Sequence, residues 1–228
     1  MIVCHSRRLI VFSFPKTGSE TLRAVFAPLA EEPVQPWRQT SRLYPFYPHM
    51  SPLEARMLFR RRGWDFDGYR RVTCVRNPYP RLVSLYRMIR QVDGLWHLRA
   101  RLGLPVPGFR DWLRASRPDG RGGGGRRHQR WRRYGAWSAH AWCHAPDGAP
   151  LITDILRLDH LDSDLPPLMS ALGMEAPAVF PVLNRRPGPD WRLWYDADTT
   201  ALVARRYAWE LAKFHSIGPI PLGPVRAA

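Results

Sequence analysis

Long apolar runs are missing from this sequence. The longest one near its start, Leu9 to Phe12, falls far short of the roughly 20 residues a membrane span requires. The sequence therefore predicts no transmembrane segment. That run is also too short for the apolar core of a secretory leader and no small-residue cleavage site follows it, so the expected location is the cytoplasm. Cysteine is scarce. The three present, Cys4, Cys74 and Cys143, are odd in number and lack C-x-x-C spacing, which implies neither a disulfide framework nor a zinc site. Lysine is almost absent, since Lys16 and Lys213 are the only two. Acidic residues are also few: 19 of them face 35 basic residues, leaving a formal net charge of +16. Nearly all of that charge is arginine, whose planar fork suits bidentate recognition of phosphate, sulfate and carboxylate, so an anionic partner is expected.

What is present suffices for a core. Over 228 residues the hydrophobic share is 45%, which excludes collagen-like, coiled-coil and disordered classes and fits one domain spanning residues 1–228. Arg8 to Phe14 reads as a buried strand that stops at Pro15. Beyond the turn residues Lys16-Thr17-Gly18-Ser19, apolar positions at Leu22, Val25, Phe26 and Leu29 trace one helix face. Prolines 28, 33, 36, 45 and 48 then mark an extended connection. It leads to a helix announced by Ser51, Pro52 and Glu54, a capping-box pattern that puts His49 just before a helix N-terminus.

Arg71 to Val75 is a second strand. It runs through Arg76-Asn77-Pro78-Tyr79-Pro80 into a helix with Leu82, Val83, Leu85, Tyr86 and Ile89 on its apolar face. Strand, loop and helix thus occur twice, which predicts an α/β fold with a central parallel sheet flanked by helices and a ligand at the carboxyl ends of the strands. Residues 92–150, rich in tryptophan, arginine and glycine, read as a mobile basic insertion centred on Arg121 to Arg133. A third strand is expected over Leu151 to Leu158, a helix from Leu161 to Leu172, and a last helix with Val203, Tyr207, Leu211 and Phe214 on one face.

Two segments carry chemistry. In Pro15-Lys16-Thr17-Gly18-Ser19-Glu20-Thr21, free backbone N–H groups at a helix start, hydroxyls and one lysine form a ready anion site. The lysine precedes the glycine, so the nucleotide-triphosphatase pattern is absent, and an ordinary helix start capped by Thr17 and Glu20 is the alternative. In Val75 to Tyr86, Arg76 ends a strand and Ser84 follows eight residues later on the second turn of the next helix, where both could reach one phosphate.

Together these segments resemble the 5′-phosphosulfate loop and 3′-phosphate motif of sulfotransferases that use 3′-phosphoadenosine-5′-phosphosulfate (PAPS), in particular the carbohydrate-type family with bacterial members. His49-Met50-Ser51-Pro52, Ile155 to Leu161, Leu183-Asn184-Arg185 and the tail from Trp194 to Phe214 follow in that family's order. The resemblance implies a P-loop-like three-layer fold and sulfuryl transfer from PAPS, the co-substrate, to an acceptor hydroxyl, with no metal needed. It implies that Lys16 touches the phosphosulfate, that Thr17, Gly18, Ser19, Glu20 and Thr21 wrap it, and that Arg76 and Ser84 hold the 3′-phosphate. Glu20 departs from the usual small hydroxyl residue, and a carboxylate facing the sulfuryl group would repel it, so Glu20 is expected to turn back onto the loop as a cap. The tail reads Phe214-His215-Ser216 where Phe-Gly-Tyr is usual.

His49 is the candidate base, kept neutral by the positive end of the helix that follows it. The other seven histidines have no comparable placement. Arg126, Arg127 and Arg130 are the candidate acceptor-binding cations, for an acidic saccharide. Two other classes fit parts of the sequence: a nucleic-acid-binding protein using the interleaved arginines and tryptophans between Arg121 and Trp137, and a nucleotide kinase, against which the missing triphosphatase pattern speaks.

Overall fold

The computed structural model of the chain describes residues 1–119, 134–175 and 189–214. Four strands form one open sheet in the order β1 (Ile2–Cys4), β2 (Leu9–Phe12), β3 (Arg70–Val75), β4 (Asp154–Arg157). β2, β3 and β4 are parallel, with Phe12 opposite Thr73 and Val75 opposite Arg157. The edge strand β1 was not anticipated, and it makes the sheet mixed. It runs antiparallel to β2 because only the tight turn from His5 to Arg8 joins them, and so short a link cannot make a parallel crossover. The parallel neighbours are joined by helical crossovers, through α1 (Ser19–Phe26) and α2 (Pro52–Arg62) between β2 and β3, and through α3 (Pro78–Val92) onward between β3 and β4.

Every residue of β2 is buried because each face of the sheet is covered. Leu9 and Val11, with Val72, Cys74 and Leu156, pack against Leu22 and Phe26 of α1 and against the Leu161–Ala171 helix. Ile10 and Phe12, pointing the other way, join Val75, Phe14, Ala55 and Phe59 of α2, and Trp142. The chain is therefore an α/β protein whose mostly parallel open sheet is flanked by helices. Among the described residues no helix is long and apolar enough to cross a membrane.

Much of the segment expected to be mobile is instead helical and anchored by aromatic side chains. Gly94–Arg101 and Phe109–Ala115 are helices, and Trp96 and Phe109 are buried beside Tyr86. Ala139–Cys143 forms a further short helix whose Trp142 stacks on Phe14 at 4.7 Å and donates its indole N–H to Thr73 Oγ1 at 3.1 Å. The central Arg121 to Arg133 stretch, with Arg126, Arg127 and Arg130, lies outside the described residues, as do Leu183-Asn184-Arg185 and His215. The expected single C-terminal helix is two, Ala197–Arg206 and Ala208–Phe214, broken at Tyr207. That residue leaves helical geometry while its buried hydroxyl donates to the Ala136 carbonyl at 2.7 Å.

Candidate functional site

The parallel strands end together, so the chain leaving each of them meets at one edge. From β2 come Ser13, Phe14, Pro15 and Lys16; from β3, Arg76 and Asn77; from β4, Leu158 and Asp159. Thr17 is fully buried and donates its hydroxyl to the Phe14 carbonyl at 2.8 Å, which folds the first loop tightly. Gly18 then starts α1 at φ 75°, a left-handed conformation that costs other residues free energy. A methyl group there would also meet Leu158 Cδ1 at 2.5 Å, so the first loop rests directly on the third. Ser19 and Thr21 are buried in the first turn.

The expected cap by Thr17 and Glu20 does not form. Thr17 is spent inside the loop, α1 begins on Gly18 with no side-chain cap, and the Glu20 carboxylate pairs with the Arg23 guanidinium one turn along. The backbone N–H groups of that first turn therefore have no side-chain acceptor from the capping residue. Glu20 is not turned onto the loop but tied along the helix.

Lys16 is held at φ 69° and its ammonium lies 3.5 Å from Met88 Sδ on α3. Ser84 sits one helical turn before Met88, on the same side of α3. Asn77 caps that helix by accepting from the Tyr79 N–H at 3.0 Å. Arg76 reaches toward the Lys16 carbonyl with Nη1 at 3.5 Å, while its buried Nε has no hydrogen-bond partner. Among the described residues it makes no ion pair. Burial works against its charge, with Asp159 acting the other way, yet a guanidinium stays protonated at physiological pH. A largely buried cation with an open donor, at the mouth of a loop of backbone N–H groups, is an arrangement suited to a phosphate.

His49 stands on the other side of the Ser13 strand end. Its capping box is formed as expected, with Ser51 Oγ accepting from the Glu54 N–H and Glu54 Oε2 accepting from the Ser51 N–H. The imidazole Nδ1 lies 2.7 Å from the Ser13 carbonyl. A carbonyl only accepts, so Nδ1 carries the hydrogen and Nε2 the lone pair. The His49 pKa is pushed down to about 4, chiefly by burial, with the Met1 amine, Arg23 and Lys16 adding to it against the Ser13 bond. Neutrality is the expected state, and burial is its largest cause. Tyr47 and Met50, which bracket His49 in the chain, line a cleft of about 300 Å³ with Trp37, Met57, Leu58 and Arg61, and His49 itself is not part of its lining.

Lys16, Thr17, Gly18, Ser19, Thr21, Arg76 and His49 thus stand at the carboxyl ends of the parallel strands, and Ser84 lies one helical turn from Met88, which Lys16 approaches. Sequence reasoning gave no site role to Asp159, whose charge acts on Arg76, to Leu158, which packs on Gly18, to Met88 or to the Ser13 carbonyl; Met88 was findable four residues beyond Ser84, and the rest depend on strand register. Trp137, counted toward a nucleic-acid surface, is mostly buried against Tyr134 and gives its carbonyl to Arg81. Among the described residues no three His, Cys, Asp or Glu side chains are grouped to hold a metal ion. No family model matches the chain, and no curated protein and no solved structure matches it either.

Proposed function

We propose that the protein transfers a sulfuryl group from PAPS to an acceptor hydroxyl, of a carbohydrate, on a P-loop-like fold. The observation that carries the reading is Arg76, largely buried beside the Lys16–Thr21 loop with an unpartnered Nε and no carboxylate in ion-pair reach among the described residues. The resemblance of Lys16 to Thr21 and of Arg76 to Ser84 to the phosphosulfate and 3′-phosphate motifs gives that open cation its partner.

In this reading the acceptor oxygen attacks sulfur in line. A new O–S bond forms as the bond from sulfur to the 5′-phosphate oxygen breaks, and its electron pair leaves with adenosine 3′,5′-bisphosphate. The acceptor proton goes to His49 Nε2, the nitrogen left with a lone pair by the Ser13 bond. Lys16 meets the charge growing on the leaving oxygen, and removal of one preorganised donor of that kind costs about 100- to 1,000-fold in turnover. Lys16→Ala should show a loss of that size in a sulfuryl-transfer assay.

Thermal melting in the presence of nucleotides tests the site without knowledge of the acceptor. A ligand that binds only the folded state at about 100 times its Kd adds roughly 2.7 kcal/mol, which for a chain of this length raises Tm by roughly 5–10 °C. Adenosine 3′,5′-bisphosphate should do this, AMP and ATP much less, and Arg76→Gln or Ser84→Ala should cancel the difference. Equal shifts with the bisphosphate and AMP would remove the 3′-phosphate assignment. A larger shift with ATP or with a mixed oligonucleotide would favour the kinase or the nucleic-acid class.

A further inference from the structure

The Gly94–Arg101 helix exposes an apolar face. Leu95, Leu98 and Leu102 are 50%, 50% and 63% exposed, and Val92 and Leu104, at the two ends, are 51% and 50% exposed. At 100° per residue the three leucines fall within an arc of about 60°, a single stripe. Arg99 and Arg101 project on opposite sides of that stripe. The helix is fastened from beneath, where Trp96 is buried against Tyr86 and Asp93 caps the helix by accepting from the Trp96 N–H at 2.9 Å. Its exposed side is therefore held rigidly outward.

Along the chain, the exposed charge flanking the stripe has one sign. Between Arg87 and Arg110 the only carboxylate is Asp93, and it is 5% exposed and engaged in the cap. Arg90 and Arg101 are exposed in the same span. Leucines at the crest with arginines on both flanks and no exposed acid within that span is the pattern of a segment that lies in a bilayer interface, its leucines in the acyl boundary and the exposed Arg90 and Arg101 guanidinium groups snorkelling to lipid phosphates, while Arg99 spends its Nε on the Pro105 carbonyl. A second copy of the chain would bring the same arginines face to face, so self-association through this surface opposes like charges. We infer that the Val92–Leu104 face docks the protein on an anionic lipid bilayer. This inference does not depend on the sulfuryl-transfer reading.

The test is co-sedimentation of the full chain with phosphatidylcholine vesicles, with and without phosphatidylserine, at about 0.1 M salt, where the Debye length is roughly 10 Å. The protein should pellet with the serine-containing vesicles and stay in solution with the neutral ones. Leu95→Ser/Leu98→Ser/Leu102→Ser keeps every charge and should weaken binding by about tenfold or more. Arg90→Gln/Arg101→Gln should weaken it by about thirtyfold. Should the triple variant melt below the wild type, the single Leu102→Ser, at the most exposed position, is read in its place. Leucine variants that bind as tightly as the wild type would reduce the effect to net charge and overturn the inference. So would wild-type protein that dimerises in the absence of lipid through a contact the leucine variant abolishes.

Discussion

Lys16 and His49 share a backbone feature that their side-chain chemistry gives no reason to expect, since both sit at positive φ, 69° and 59°. Among the described residues only Arg8 joins them outside glycine. Such conformations cost on the order of 1–3 kcal/mol each and persist where the surroundings over-determine them. For His49 those surroundings are the Ser13 carbonyl on one side and the capped start of α2 on the other. The Ser13 bond leaves Nε2 as an acceptor, and His49→Ala should abolish turnover while calorimetry finds bisphosphate affinity within about twofold of the wild type. Turnover near the wild-type rate would demote His49 to a loop residue. The pH dependence follows from the depressed pKa. With the folded group near 4, the base is already neutral at pH 5 and above, so its limb of kcat/KM should fall only as pH approaches 4. For stability the sign is set by proton uptake: below about 6.5 the unfolded chain binds a proton that the folded one refuses, so stability is full above that pH and declines as pH falls toward 4. The decline amounts to on the order of 3 kcal/mol and should be missing from His49→Asn in melting curves taken across that window. Both residues could be picked from the sequence, because a lysine in a loop between strand and helix and a histidine before a capping box are local patterns. What fixes them could not, because Ser13 and His49 are 36 residues apart in the chain and Lys16 and Met88 are 72 apart.

At the scale of elements the same division holds between local and long-range information. The periodicities of β2, β3, α1, α2 and α3 were visible because each spans several residues of one pattern. β1 has only three residues and owes its existence to pairing with β2. The break at Tyr207 was invisible for a similar reason. Val203, Tyr207, Leu211 and Phe214 keep helical spacing across it, and the interruption comes from the hydroxyl bond to Ala136 in a distant segment. Residues 134–145 looked like part of a mobile insertion by composition, yet they are clamped by Arg81 of α3. That guanidinium is fully buried and donates to the Gly135 carbonyl at 2.7 Å, the Trp137 carbonyl at 2.9 Å and Glu210 Oε1 at 3.1 Å, while Glu210 Oε2 accepts from the Ala139 N–H. One side chain thereby ties α3, which carries Ser84, to the 134–139 segment and to the last helix. Removing one partner of a buried pair strands the other charge and costs about 3–5 kcal/mol. Arg81→Met should accordingly lower Tm by roughly 10 °C. Arg81→Met/Glu210→Gln should recover part of the loss, since the amide leaves no stranded charge. A single variant that melts within about 2 °C of the wild type would mean that the clamp is dispensable.

For the whole molecule, composition announced an anionic partner without saying where it binds. The structure accounts for part of the arginine excess by pairing, as in Arg70 with Asp154 and Arg157 with Asp164, each through two nitrogens. Pairing cannot neutralise a surplus of +16, and an excess of that size repels itself across the compact state. Added chloride should therefore raise Tm gradually by screening, with most of the gain complete once the Debye length falls below about 10 Å. Sulfate should do more than chloride at equal ionic strength, for two reasons that a variant separates. Exclusion of sulfate from protein surface strengthens burial in any folded chain and so acts on wild type and variant alike. Occupation of the site at Arg76 and the Lys16–Thr21 loop acts only where the open guanidinium is present. Arg76→Gln should thus keep the chloride response and the exclusion share of the sulfate response, but lose the extra increment that saturates at low sulfate. Melting curves of both proteins over a sulfate series, each matched by chloride at the same ionic strength, measure that increment directly. If wild type and Arg76→Gln gain equally at every concentration, Arg76 holds no tetrahedral anion, and its unpartnered Nε does not mark a nucleotide site.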